Sequence, residues 1–304
     1  MTTTDDIGTR ALLTALNISA WSGNRLDRNA SRDLTDRESA QRGAARVNKS
    51  LVSRDALAAV TTAAGAARSE HYRRTLAWAD DGARILPAAG FLDYRDAMAA
   101  RKSAFLDAVR VFVERYDYHR AQAQQSLGYL YSPADYPEAA EIAARFGFSV
   151  NFLPVPTGAD FRVDLGNDAR DALAAEIETR TRETMARAQA EPLKRVAETI
   201  GALAEKLRAL QAHQGEGRAP VLRETALSNV LILADLLPSL NIHQDPALDT
   251  LAHDIKNAFK SHNVESLRTQ PRAQEEAADA ADDILARVAG IFGPAPVSYQ
   301  HAAQ

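Results

Sequence analysis

The sequence predicts a helix-dominated α+β protein, in which long antiparallel helices (bundle- or coiled-coil-like) accompany one small antiparallel β-sheet. Three observations predict it. Leu193, Val196, Ile200, Leu203, Leu207 and Leu210 fall at spacings of 3, 4, 3, 4 and 3, the a/d seam of a helix that must bury one stripe. Hydrophobic residues make up 46% of the 304 residues but aromatics only 6%, much of the rest being alanine beside arginine and glutamate, a helix-forming composition. Residues 148–165 carry the clearest β signal: Phe148, Val150 and Phe152 alternate with polar residues, as do Phe161, Val163 and Leu165.

Each element follows in order. In Ala11–Ser22, Leu16 and Ile18 alternate with Asn17 and Ser19 ahead of Trp21, which predicts a strand. Residues 23–46 are polar with few apolar anchors and read as a flexible or weakly helical excursion. Ser53 caps a helix running towards Leu76, with Leu57, Val60 and Ala64 on its inner face. Asp81-Gly82 signals a turn, Ile85 and Leu86 a short extended piece, and Pro87 a break. A second long helix from Tyr94 carries Phe105, Val109, Phe112 and Tyr116. Tyr129–Pro137 is a loop, Pro137 sits near the first turn of a helix over 137–146, and Gly147 ends it. The runs 148–152 and 161–165 form an antiparallel pair that needs a further strand or helix beneath it, and the N-terminal strand is the natural candidate.

Asn167 caps a helix extending to about residue 212, which Pro192 kinks or divides. Residues 213–220 form a glycine-containing loop, followed by helices over 221–237, from Pro246 behind the Asp245 cap, and from near Pro271. The seam spans about two and a half heptads, short of a sustained coiled coil. The stripes of helices 221–237 and 246–260 are complementary, so the seam is expected to be satisfied within the chain. The organisation expected is a mixed α+β region over 1–166, a helical region over 167–293 and a loose tail over 294–304.

Composition excludes several function classes. A net charge of −4, from 36 basic and 40 acidic residues, argues against a dedicated nucleic-acid binder. With no cysteine there is no disulfide, thiol nucleophile or Cys-based metal site. MTTTDDIGTR is not a secretory signal and no apolar run spans a membrane, so a cytoplasmic chain is expected. The seven histidines form neither HxxxH nor HExxH, and phosphate-loop, dinucleotide and G-x-S-x-G motifs are absent. No catalytic residue, cofactor or metal ligand is expected, and the chain reads as a non-enzyme.

Two constellations remain. Tyr116, Tyr118, Tyr129, Tyr131 and Tyr136 crowd a short stretch with His119 and Arg120; they read first as core and corner packing, and secondarily as a recognition surface. Residues 25–54 hold Arg25, Arg28, Arg32, Arg37, Arg42, Arg46, Lys49 and Arg54, a conceivable nucleic-acid arm. Asp27, Asp33, Asp36, Glu38 and Asp55 are interleaved, which favours a solvated mixed-charge segment.

Three stretches, ALNISAWSGNRLD (15–27), WADDGARILPAAGFLDYRDAM (78–98) and FSVNFLPVPTGADFRVDL (148–165), resemble an uncharacterised family of phage and plasmid proteins. Members often lie beside genes for a MoxR-type AAA+ ATPase and a von Willebrand A-type partner. The resemblance covers blocks of 11–165 and implies a phage or mobile-element context, in the host cytoplasm, with an ATPase partner; the family offers no catalytic residues. Within these stretches Arg84 is placed to pair with Asp80 or Asp81, and Trp21 and Trp78 to anchor the small sheet against helices. The interaction residues expected are Trp21, Trp78, Arg84, Tyr116, Tyr118, Tyr129 and Tyr131. The leading expectation is an interaction or adaptor protein, with self-association open to it. The alternative is a phage nucleic-acid-associated protein using segment 25–54.

Overall fold

The structure, a computed structural model, describes residues 9–78, 82–157, 167–213 and 220–292. The fold is helix-dominated α+β. Its strands are β1 (Ala11–Ser19), β2 (Asn24–Asp27), β3 (Val47–Ser50), β4 (Leu76–Ala77), β5 (Arg84–Pro87) and β6 (Gly147–Pro154). Its helices are α1 (Arg28–Arg37), α2 (Arg54–Arg74), α3 (Phe91–Glu114), α4 (Tyr116–Leu127), α5 (Ala139–Ala143), α6 (Asn167–Ala212), α7 (Glu224–Leu240), α8 (Pro246–Phe259), α9 (Val264–Thr269) and α10 (Pro271–Phe292). One sheet has the order β4-β5-β1-β6, with β5 antiparallel to both β4 and β1; β2 and β3 form a separate antiparallel ribbon. None of the described helices is long and apolar enough to cross a membrane.

The chain forms two compact units, each assembled from separated segments: Met1–Thr14, Arg74–Leu92 and Phe152–Gln304 in the first, Ala15–Arg73 and Asp93–Asn151 in the second. The boundary expected at Gly166 lies outside the described residues.

In the first unit the heptad seam is buried within the chain. Leu193, Val196, Ile200, Leu203 and Leu207 of α6 pack with Leu227, Val230, Ala234 and Leu237 of α7, Leu251, Ile255 and Phe259 of α8, and Ala277, Ala281, Ile284 and Val288 of α10. Each fully buried Leu or Ile contributes about 1.5–3 kcal/mol, and the alanines let the helices approach closely. Pro192 lies inside α6, which continues through it; the helix is not divided. A second cluster sets Leu13, Leu76 and Ile85 of the strands against Met185 and Ala188 of α6 and Leu236 and Leu240 of α7. Glu191 pins these strands to α6: Oε2 accepts the Ala77 N–H at 2.6 Å, and Oε1 accepts from Arg195 Nε at 3.1 Å. Asp245 caps α8 by accepting from the Ala247 N–H at 2.9 Å, with Pro246 opening the helix as expected.

The second unit departs further from expectation. The polar stretch after Gly23 is ordered as β2, α1 and a turn leading to β3, because Asp27 caps α1 by accepting from the N–H groups of Asn29 at 3.0 Å and Ala30 at 2.9 Å. Gly23 has φ +67°, and a Cβ there would stand 2.8 Å from Val52 Cγ2, so the bend into β2 requires glycine. Ser53 caps α2 as expected, its Oγ accepting from the Ala56 N–H at 3.2 Å. The helix from Tyr94 breaks at Arg115, which separates α3 from α4. The helix expected over 137–146 contracts to Ala139–Ala143; Pro137 precedes its cap and Gly147 opens β6. The partner run expected over 161–165 lies outside the described residues, as do residues 214–219 of the expected loop.

Candidate functional site

The aromatic residues of the second unit build one corner. Trp21, two residues beyond β1, is 9% exposed and sets its ring 6.1 Å from both Phe112 and Tyr116, edge-on to the latter. Tyr116 is fully buried; its hydroxyl donates to the Pro137 carbonyl at 3.0 Å, and burial pushes the phenol up. Tyr131 lies 5.3 Å from Tyr136, and the Arg120 guanidinium sits 5.5 Å from the Tyr136 ring centroid. Tyr136 is 6% exposed, its hydroxyl has no hydrogen-bond partner among the described residues, and burial pushes its phenol up to about 12.

A buried charge cluster lies beside this corner. Lys49 is 7% exposed, its Nζ stands 3.0 Å from Asp27 Oδ2 and donates to the Leu130 carbonyl at 3.1 Å, and it pairs closely with Asp135. Arg25 adds to it, with Nε 3.3 Å from Asp135 Oδ1 and Nη1 donating to the Ala134 carbonyl at 3.2 Å. The Ala30 N–H, and then Lys49, hold the Asp27 carboxyl below its usual range; Asp135, opposed by burial, holds Lys49 above its own. Lys49 therefore ties the β2–β3 ribbon to the 130–135 turn, and the solvated character expected of segment 25–54 does not hold at this residue. No local signal marks Lys49 as inward-facing, since VNKS holds a single apolar residue.

Beside this cluster, sharing Arg25 and Asp135 with it, opens a cavity of about 410 Å³, walled by Trp21, Arg25, Tyr136 and Arg145 with Asn24, Leu51 and Glu141. Tyr118 (61% exposed) and Tyr129 (fully exposed) stand on α4 and the turn after it. The structure thus brings Trp21 and Tyr116 together, leaves Tyr118 and Tyr129 on the surface, and sets Tyr131 against Tyr136. Trp78 and Arg84 belong to the other unit. Trp78 packs half-buried on the strand cluster, while Arg84 Nε donates to Thr75 Oγ1 at 2.7 Å and Nη2 stands 3.5 Å from Glu191. Asp80 and Asp81, the partners expected for Arg84, lie outside the described residues.

Among the described residues, no group of three or more His, Asp or Glu is placed to hold a metal ion. The cavity walls offer stacking faces, guanidinium donors and carboxylate acceptors, which suit recognition of a side chain. Compared with known protein families, curated proteins and solved structures, the chain matches none.

Proposed function

We propose that this is a non-catalytic interaction protein, of phage or mobile-element origin, that takes a side chain of a protein partner into the cavity between Trp21 and Tyr136. One observation carries this reading: a concave site is walled by tryptophan, tyrosine and two arginines. Those residue types dominate the binding energy of protein interfaces. The lining residue Asp135 is held by Lys49 and Arg25, so little ordering has to be paid for on binding. Tyr118 and Tyr129 supply further contact area outside the cavity. The family resemblance points to a MoxR-type AAA+ ATPase as the partner.

The test is co-elution and titration of the full chain with a MoxR-type AAA+ ATPase. Arg145→Ala, an exposed wall residue, is expected to weaken binding by at least about tenfold. Arg272→Ala, on α10 of the other unit, is expected to leave it unchanged. Equal binding by both variants, or a wild-type chain that stays monomeric and unbound beside the ATPase, overturns the proposal.

A further inference from the structure

A second cavity in the same unit, of about 360 Å³, is lined by Arg28, Arg32, Arg42 and Arg46 together with Leu26 and Ala45. Two walls bring these residues together. Arg28 and Arg32 stand one turn apart on α1 and so share a face. Arg42 and Arg46 come from the turn that leads into β3, where Gly43 adopts φ +87°. The walls are tied to each other: Ser31 Oγ accepts from the Val47 N–H at 2.9 Å, and the Ala40 N–H donates to the Thr35 carbonyl at 2.9 Å.

The charge arrangement is unusual for this chain. Several arginines elsewhere in the unit pair with carboxylates, as Arg25 does with Asp135, Arg101 with Glu70 and Arg110 with Glu114. None of the four arginine side chains of the cavity has an ion pair or hydrogen bond among the described residues, and no carboxylate lines it. Asp36, one turn beyond Arg32, makes no ion pair with it. Four positive charges therefore converge on one concavity with a small apolar wall.

The geometry points to a site for a compact organic polyphosphate. Its di- or triphosphate would sit among the guanidiniums, whose planar forks match phosphate oxygens bidentately. The remainder would lie against Leu26, which is 42% exposed on β2. A single phosphate would leave most of the positive charge uncompensated. A long nucleic-acid strand would run past Asp33, Asp36 and Glu38 on a chain of net charge −4, so the field favours a small ligand held inside the cavity.

Isothermal titration of the full chain with inorganic triphosphate, adenosine triphosphate and a single-stranded oligonucleotide tests this. One molecule of either triphosphate is expected to bind per chain, the nucleotide more tightly, with affinity falling as salt rises from about 50 to about 200 mM. Arg32→Gln with Arg46→Gln is expected to weaken both triphosphates by at least about tenfold. Leu26→Ala is expected to weaken the nucleotide alone. All the altered positions are exposed, and an unchanged melting temperature shows that the variants are folded. Absence of triphosphate binding, binding indifferent to the double variant, or binding of the oligonucleotide alone overturns the assignment.

Discussion

The two units reach stability by different means. In the first, helices meet through leucine, isoleucine, valine and alanine, and Phe259 is the one aromatic residue of the main buried cluster. In the second, buried Trp21, Tyr94, Phe105, Phe112, Tyr116, Phe146 and Phe148 supply the apolar mass, and Lys49, Glu70 and His71 are buried among the same elements. The Glu70 carboxylate takes Arg101 at 3.2 Å along with Arg73, and His71 Nδ1 lies 2.8 Å from the Tyr94 hydroxyl. An aliphatic core tolerates changes of charge state because it holds few charges. A core that contains ions is specific in its pairing and sensitive to the loss of any one member. Both described cavities rich in charged side chains belong to this second unit.

The largest effect that would sharpen this contrast comes from Lys49→Met. It leaves Asp27 without a cation and Asp135 with Arg25 alone, and is expected to cost about 3–5 kcal/mol in urea unfolding; a loss below about 1 kcal/mol would mean that the cluster is surface-like. Next comes Leu203→Ala in the helical seam, expected to cost about 3 kcal/mol by cavity formation. Its cost should be the same at pH 5 and pH 8, and a pH-dependent cost would break the contrast.

The smallest effect concerns Tyr136. Its folded phenol is pushed up to about 12, above the ordinary value of 10.0, so its contribution is complete below about pH 10 and is lost as pH rises towards 12. Tyr136→Phe removes that share of the alkaline decline. It also removes a buried hydroxyl without a partner, so at neutral pH the variant is expected to match the wild type or exceed it by up to about 1 kcal/mol. Thermal melts across pH 8–11 decide it: an alkaline slope equal to that of the wild type would refute the assignment.

What could be read from the sequence follows the same divide. The Leu193–Leu210 seam repeats at helical spacing, so its burial shows in local periodicity. The Ser53 and Asp245-Pro246 caps are likewise local signals, and both helices begin where those residues stand. The Lys49 cluster is made by residues 27, 49 and 135, whose relation is long-range and has no period. The β2–β3 ribbon was hidden because NRLD and VNKS each contain one apolar residue, too few to show alternation. At the candidate site, Trp21 and the tyrosines stood out by residue type. Lys49, Asp27 and Arg25 were visible only as members of a mixed-charge run, where interleaved signs conceal which carboxylate meets which cation.

The helix α6 has a consequence for amide exchange. Its 46 residues rise about 70 Å without interruption, yet none of residues 168–180 is buried, and Thr181 is the first side chain to be enclosed. An isolated stretch of about 13 helical residues is marginal in water. The amides of that stretch therefore exchange by fraying from the N-terminal end, while those between Leu193 and Leu207 wait for the packed helices to come apart. Protection along a single unbroken helix falls in a step near Thr181, so continuity of the helical backbone in α6 is not continuity of stability.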